Sequence, residues 1–276
     1  LLSTLISPLV IADTVSPHDV GITNKERILY WLNKRDNIAP SDLESSYEQY
    51  MDMSANNPHL IKNGFRQFNS KIDNSAGSVK SQVSFSTALI PEQTVNQVKI
   101  LTILIDFPDL KHDDNKLSAQ DTDMFYTDYS KEHYQQMLFN SESYLGPDDQ
   151  SLLTAKSYYS EASGASLNFS GDVYGWVTAD SNAKVYGERQ GNTRDINAPS
   201  LVKEAVEKAV AQYNINLSDY DLTDLDDIDG DGIINEPNGI IDHVMIFHSS
   251  IGEEAGGGYL ATDAIWSHRY YVFDEN

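Results

Sequence analysis

The chain contains no cysteine, which excludes disulfides, thiol nucleophiles and thiolate metal sites together. Cysteine usage therefore leaves the compartment open. Basic residues are scarce, with 19 Lys and Arg against 42 Asp and Glu and a net charge of −23. A surface this negative repels phosphate backbones and anionic lipid heads, which argues against nucleic acid and membrane as partners. No apolar run is long enough to span a bilayer. H-E-x-x-H is also missing, as is any other pair of histidines at helical ligand spacing, so spacing alone offers no zinc site. None of the serines sits in a G-x-S-x-G elbow. The run Gly256-Gly-Gly258 has no lysine or helix start beside it to make a phosphate cradle.

What the chain does have is an acidic concentration. Between Ala209 and His268 there is no Lys or Arg but there are twelve carboxylates, six of them between Asp221 and Gly232. Asp227, Asp229 and Asp231 alternate so that three side chains converge, while Gly230 and Gly232 permit a tight turn. Hard oxygens on a short loop suit calcium. Read against the EF-hand pattern, these three take ligand positions one, three and five, Ile233 offers its carbonyl, and Asn235 holds position nine. Position twelve, normally a bidentate glutamate, is Asn238. The closing ligand is then Glu236 or Asp242. The competing reading is a solvated acidic turn. Magnesium fits less well, because it retains waters and needs fewer carboxylates.

The first twelve residues, Leu1 to Ala12, are apolar and end in Val10-Ile-Ala12 before turning polar at Asp13. They look like the hydrophobic core and cleavage region of a secretory signal, the alternative being a short buried strand or helix. Thr23 and Glu26 have capping-box spacing, and Ile28, Leu29 and Leu32 give the following helix one apolar face. A second helix is predicted over 41–53. Residues 54–96 are rich in Asn, Ser, Gln and Lys and read as a linker, with a proteolytic cut expected between 70 and 97. From Lys99 to Phe107 a branched apolar run predicts a strand covered on both faces. Thr154 to Ser163 predicts a helix stopped by Gly164. Leu167 to Val173 alternates like a strand. Pro199 opens an amphipathic helix with Leu201, Val202, Ala205, Val206, Ala209, Val210 and Tyr213 on one stripe. Residues 240–249 predict another buried strand. The order indicates a mixed α/β domain from about residue 97, preceded by a small, mostly helical unit.

His243 and His248 are five apart on that last strand, so they fall on opposite faces and cannot share a metal. His112 lies near Asp113 and Asp114. Glu253 and Glu254 follow the strand directly and lead into glycines, which suits a cleft wall or a contact to a second ion, and equally a plain surface loop.

Six ordered blocks carry a resemblance: Ile103 to Asp109, Ser157 to Gly164, Val173 to Trp176, Gly239 to His248, Gly252 to Gly258 and Asp263 to His268. Together they resemble the immune inhibitor A family of secreted zinc metallopeptidases, most closely its vibrio-type members. The likeness covers about residues 97–274. It implies a signal remnant at 1–12, a propeptide with linker at 13–96, and at 97–276 the upstream part of a zincin-like catalytic domain with a mixed sheet. It also implies a secreted, extracellular endopeptidase precursor acting on protein or peptide substrates, with zinc as catalytic ion and calcium as structural ion. The family's zinc helix carries H-E-x-x-H, which these 276 residues lack. The catalytic residues and zinc ligands are therefore expected beyond Asn276, and none is assigned within the chain, which reads as a fragment that is inactive by itself. The alternative is a non-catalytic extracellular calcium-binding module.

Overall fold

The computed structural model describes residues 25–54, 95–189, 194–225 and 227–267. The predicted signal remnant, Thr23 of the capping box and most of the predicted linker lie outside them. So does Asn276, and with it the expectation that the catalytic residues follow that position. Two helices come first, α1 (Lys25–Asp36) and α2 (Leu43–Ser54). They pack on each other through Ile28, Leu32 and Tyr50, with Ile38, Leu43 and Tyr47 around them.

The central strand β1 (Asn96–Asp106) becomes fully buried from Ile100 onward. Successive side chains of a strand point to opposite faces, and here both faces are covered. Leu101, Ile103 and Ile105 join one core, whereas Ile100 and Leu104 join another. This is why the run is apolar throughout rather than alternating. Strand β4 (Leu167–Thr178) pairs with β1 in parallel on one side, and β5 (Val244–His248) pairs with it in parallel on the other. The sheet order is β4-β1-β5. Among the described residues this main sheet is parallel throughout, and antiparallel pairing is confined to the hairpin β2 (Ser143–Leu145) and β3 (Ser151–Leu153) and to two isolated bridges.

Helices cover both faces. On one lies α6 (Ala198–Tyr213), opened by Pro199, whose Leu201, Ala205 and Ala209 meet Leu101, Ile103 and Ile105. Ala205 and Ala209 are both fully buried, and their small side chains let the helix backbone approach the sheet closely. On the other face lie α3 (Lys131–Phe139), capped by the Ser130 hydroxyl, and α4 (Ala155–Ala162), capped by the Thr154 hydroxyl. Leu138 and Phe139 of α3 pack there against Ile100, Leu104, Phe169 and Val173. Gly164 follows α4 at φ 59° as the expected stop. A short helix α5 (Ala183–Gly187) completes the set. The strand predicted over 240–249 is shorter than expected. Asp242 N is drawn to Tyr220 O (2.9 Å), and ladder pairing with β1 begins only at Val244. No helix among the described residues is long and apolar enough to cross a membrane.

Candidate functional site

The acidic loop is closed at its base by the Asp224 amide donating to Ile234 O at 3.0 Å. Its carboxylates divide into two sets. Asp221 accepts from the amides of Asn238 and Gly239, and Asp224 accepts from the Ile228 amide and the Asn238 side chain. Asp242 accepts from Leu222 N and Thr223 Oγ1, both at 2.9 Å. These three staple the backbone. Asp242, expected as a closing ligand, thus spends both oxygens on the stem of the loop.

The second set points inward. Asp227, Asp229 and Asp231 each bring an oxygen within 4.8 Å of the others. Each also accepts one backbone amide, from Gly232, Asp231 and Ile233 respectively. Those bonds fix the turn, and Gly230 (φ 78°) and Gly232 (φ 82°) supply left-handed conformations that a Cβ would strain. Ile233 and Asn235 lie exposed on the same loop. Glu236 is the next carboxyl along the loop, and its side chain is not among those whose oxygens converge. Its pKa is raised, by desolvation first and then by the charges of Asp231, Asp229, Asp224 and Asp227. Three convergent carboxylates with no cation among them repel, and a hard divalent cation would remove that cost.

Glu253 and Glu254 are placed differently from one another. Glu253 is fully buried. One of its oxygens is bound by Arg189 and the other by Arg194 Nη1 at 3.1 Å. Arg194, itself 1% exposed, stacks over Trp266 at 4.3 Å and has Asp195 at 3.9 Å. Burial raises the Glu253 carboxyl above its usual value, with the two guanidiniums pulling against it. Asp195 is pushed up to about 8, by burial first and then by the Glu253 charge. Glu254 instead accepts from the Ser267 amide and hydroxyl.

A second constellation lies where the carboxyl ends of the three parallel strands meet, the usual position for a cleft in such sheets. Asp106 closes β1 and is 2% exposed. It accepts from Thr178 Oγ1 (2.7 Å) and Lys111 Nζ (3.0 Å), and its other oxygen holds His112 Nδ1 at 2.8 Å. Burial alone would raise the Asp106 carboxyl. The hydrogen bonds from His112, Thr178 and Lys111 outweigh it and leave the pKa lowered. The His112 ring stacks on Trp176, 4.6 Å away and 7° from parallel. His248, at the end of β5, engages Ser250 Oγ through Nδ1 at 2.8 Å, and burial lowers its pKa. His112, Trp176, His248 and Ser250, with Tyr129, Tyr134 and Ser249, line a cavity of about 80 Å³. Sequence spacing pointed His112 toward Asp113 and Asp114, but its carboxylate partner is Asp106. The available signal was the single carboxylate closing an otherwise apolar strand. His243 falls just before β5, so the opposite-face argument reduces to His248 alone on the strand, and His268 lies outside the described residues.

A mixed α/β domain with a strand-end cleft and an acidic cation-type loop defines the class. Residues 88–276 match the family described as immune inhibitor A peptidase M6, catalytic domain, and the chain belongs to that family. It is 39% identical over 274 residues to the "Pre-pro-metalloprotease PrtV" of Vibrio cholerae serotype O1, covering 92% of this chain and 29% of that protein. It is 40% identical over 182 residues to "Immune inhibitor A" of Bacillus thuringiensis subsp. alesti, covering 64% of this chain and 26% of that one. The chain thus spans less than a third of the relatives it matches. The family match runs to Asn276 itself.

Family membership implies a metal, and the ligand chemistry can be tested on the residues present. Among the described residues the one group of three or more His, Cys, Asp or Glu side chains close enough to hold an ion is Asp227, Asp229 and Asp231. An all-carboxylate trio on a flexible loop fits calcium and does not fit the imidazole-rich set of a catalytic zinc. No zinc chemistry is assigned to these residues.

Proposed function

We propose that the chain is the upstream part of a secreted zinc-dependent endopeptidase precursor that acts on protein or peptide substrates. The observation that carries this reading is the family match over residues 88–276. These 276 residues hold no H-E-x-x-H. In this reading the zinc-binding helix therefore belongs to the parent protein beyond Asn276, and the chain alone hydrolyses nothing. Residues 1–12 are read as a secretory signal remnant and 13–96 as propeptide and linker. The domain from 97 supplies the sheet against which the catalytic segment packs. Calcium is proposed as a structural ion on Asp227, Asp229 and Asp231; with both Asp242 oxygens engaged on the stem of the loop, Glu236 is the remaining expected closing carboxylate.

The test has two arms. A protein extended to include the zinc helix should cleave an unstructured protein substrate and lose that activity to a zinc chelator, while the 276-residue chain stays inert. Hydrolysis by the short chain, or none by the extended one, would overturn the assignment. Calorimetry of the chain with calcium should show saturable heat that Asp229→Ala combined with Asp231→Ala abolishes. An unchanged isotherm in that double variant would sink the calcium reading while leaving the peptidase reading intact.

A further inference from the structure

The cavity at the carboxyl ends of the strands has walls whose hydrogen-bonding capacity can be counted. No Asp, Glu, Lys or Arg side chain lines it. Most of its polar groups are already spent within the protein. The Trp176 indole N–H donates to Tyr129 O at 2.8 Å, and the Ser249 hydroxyl donates to Leu110 O. Asn115 donates to His112 O and accepts from the Leu117 amide. The Tyr129 hydroxyl oxygen accepts from the Tyr126 amide at 3.2 Å, which leaves its own proton to give. Tyr134, edge-on to Trp176 at 5.9 Å, brings a hydroxyl with no hydrogen bond among the described residues.

The two imidazoles are held in opposite tautomers. The Asp106 carboxylate accepts, so His112 Nδ1, 2.8 Å away, carries the proton that faces it. In the neutral ring Nε2 is then a lone-pair acceptor. His248 is the converse. Its Nδ1 receives the Ser250 amide at 3.4 Å and lies 2.8 Å from Ser250 Oγ. A backbone amide only donates, so Nδ1 is the bare nitrogen, and Nε2 of the neutral ring carries the proton. Neither Nε2 has a hydrogen-bond partner among the described residues. The cavity therefore offers one acceptor at His112, one donor at His248, two phenol hydroxyls and flat aromatic surface.

This set selects among ligands by charge and by proton count. A carboxylate has no hydrogen to give His112, and an ammonium has no lone pair for the His248 proton. Either would also leave water without an opposite charge in the wall to meet it. A neutral carboxamide has both functions in one plane, an NH₂ that donates and a carbonyl that accepts. The volume of about 80 Å³ is several times the ~10–15 Å³ that one water needs, which admits a group of this size.

We infer that this cavity is a binding site for a neutral carboxamide, the group borne by Asn and Gln side chains and by small primary amides. The NH₂ donates to His112 Nε2, the carbonyl oxygen takes the His248 Nε2 proton, and the tyrosine hydroxyls complete the set. The site stands apart from the proposed hydrolysis, since it uses no catalytic group.

The experiment follows the histidine ring resonances of the full chain by NMR, assigned through His112→Asn and His248→Asn. Titration with propionamide at neutral pH should shift both resonances saturably. Propionate and methyl ethyl ketone keep the shape but lose the amide hydrogens, and should bind at least about tenfold more weakly. His112→Asn keeps a donor toward Asp106 and His248→Asn keeps an acceptor toward Ser250, so each removes Nε2 and leaves the wall anchored. Each should weaken propionamide about tenfold, read on the other ring. Tyr134→Phe breaks no hydrogen bond among the described residues and should weaken it about threefold. Two further amides separate the sources. Binding of N-acetylglutamine methylamide supports a side chain within a protein as the ligand, and binding of propionamide and free glutamine without it supports a small free amide. The absence of a saturable propionamide shift overturns the inference, the cavity then holding water alone. Equal affinity for propionate or the ketone overturns it too, as do shifts unchanged across both Asn variants and Tyr134→Phe.

Discussion

Replacing Asp195 with Asn should change how the stability of the domain depends on pH, with a sign set by the buried charge cluster. Asp195 is fully buried beside Glu253, and its carboxyl is pushed up to about 8 against an ordinary value near 3.8. In the folded state it keeps its proton over a range in which the unfolded chain has lost it. The folded form therefore binds more protons between about pH 4 and pH 8, and stability must fall as pH rises through that window. Each unit is worth about 1.4 kcal/mol at full difference, so raising the pH from 5 to 7 costs about 3 kcal/mol through this one group. For a domain of this size that corresponds to roughly 6–12 °C in Tm. Asn keeps an oxygen for the Trp266 amide, which lies 3.4 Å from Asp195 Oδ2, but has nothing to titrate. Melting curves at pH 4, 5, 6, 7 and 8 should come together at pH 4 and diverge progressively above it, with Asp195→Asn the more stable at pH 7. Glu253→Gln supplies a control. With the neighbouring charge gone, the Asp195 pKa should drop, and the upper end of the sloping region should move toward acid while its lower end, set by the unfolded chain, stays in place. Parallel Tm-against-pH curves for the native chain and Asp195→Asn would refute the reasoning.

Asp106→Ala should destabilise by about 3 kcal/mol, because it strands Lys111, Thr178 and His112 beside a buried hole; urea melts measure this, and a change under about 1 kcal/mol would contradict the network. Ala205→Leu should cost about 1–3 kcal/mol or more by prying α6 from β1, while Glu207→Ala, on the exposed side of the same helix, should stay within about 0.5 kcal/mol. Equal effects from the two substitutions would undo the packing argument.

Where local chemistry and tertiary burial agree, the sequence was legible. The branched run of β1 declares two covered faces by itself, and Thr154 with Gly164 brackets α4 through a hydroxyl cap and a left-handed stop. The stripe on α6 is readable for the same reason, since its period matches the face it buries. Helix α3 escaped because its apolar residues, Tyr134, Met137, Leu138 and Phe139, crowd one end of a short polar segment. The start of β5 was misplaced because Ile240 and Ile241 look like strand, whereas Asp242 ties that stretch to Tyr220 and Leu222 instead. The three convergent aspartates were visible, since five consecutive positions carry them all. The Glu253 cluster was not, because its arginines arrive from about sixty residues upstream and glycines beside a carboxylate suggest exposure. His112 with Asp106 was hidden more subtly, by nearer aspartates that turn out not to be its partners.

The absence of a side chain at Gly256 has a consequence for the life of the molecule. The indole of Trp31 occupies the space where a first carbon would stand, so a single methyl group there acts as a wedge. A chain bearing any other residue at this position would have to hold α1 back from the loop Gly252–Tyr259, lengthening the reach of Arg35 to the carbonyls of Gly256 and Gly258.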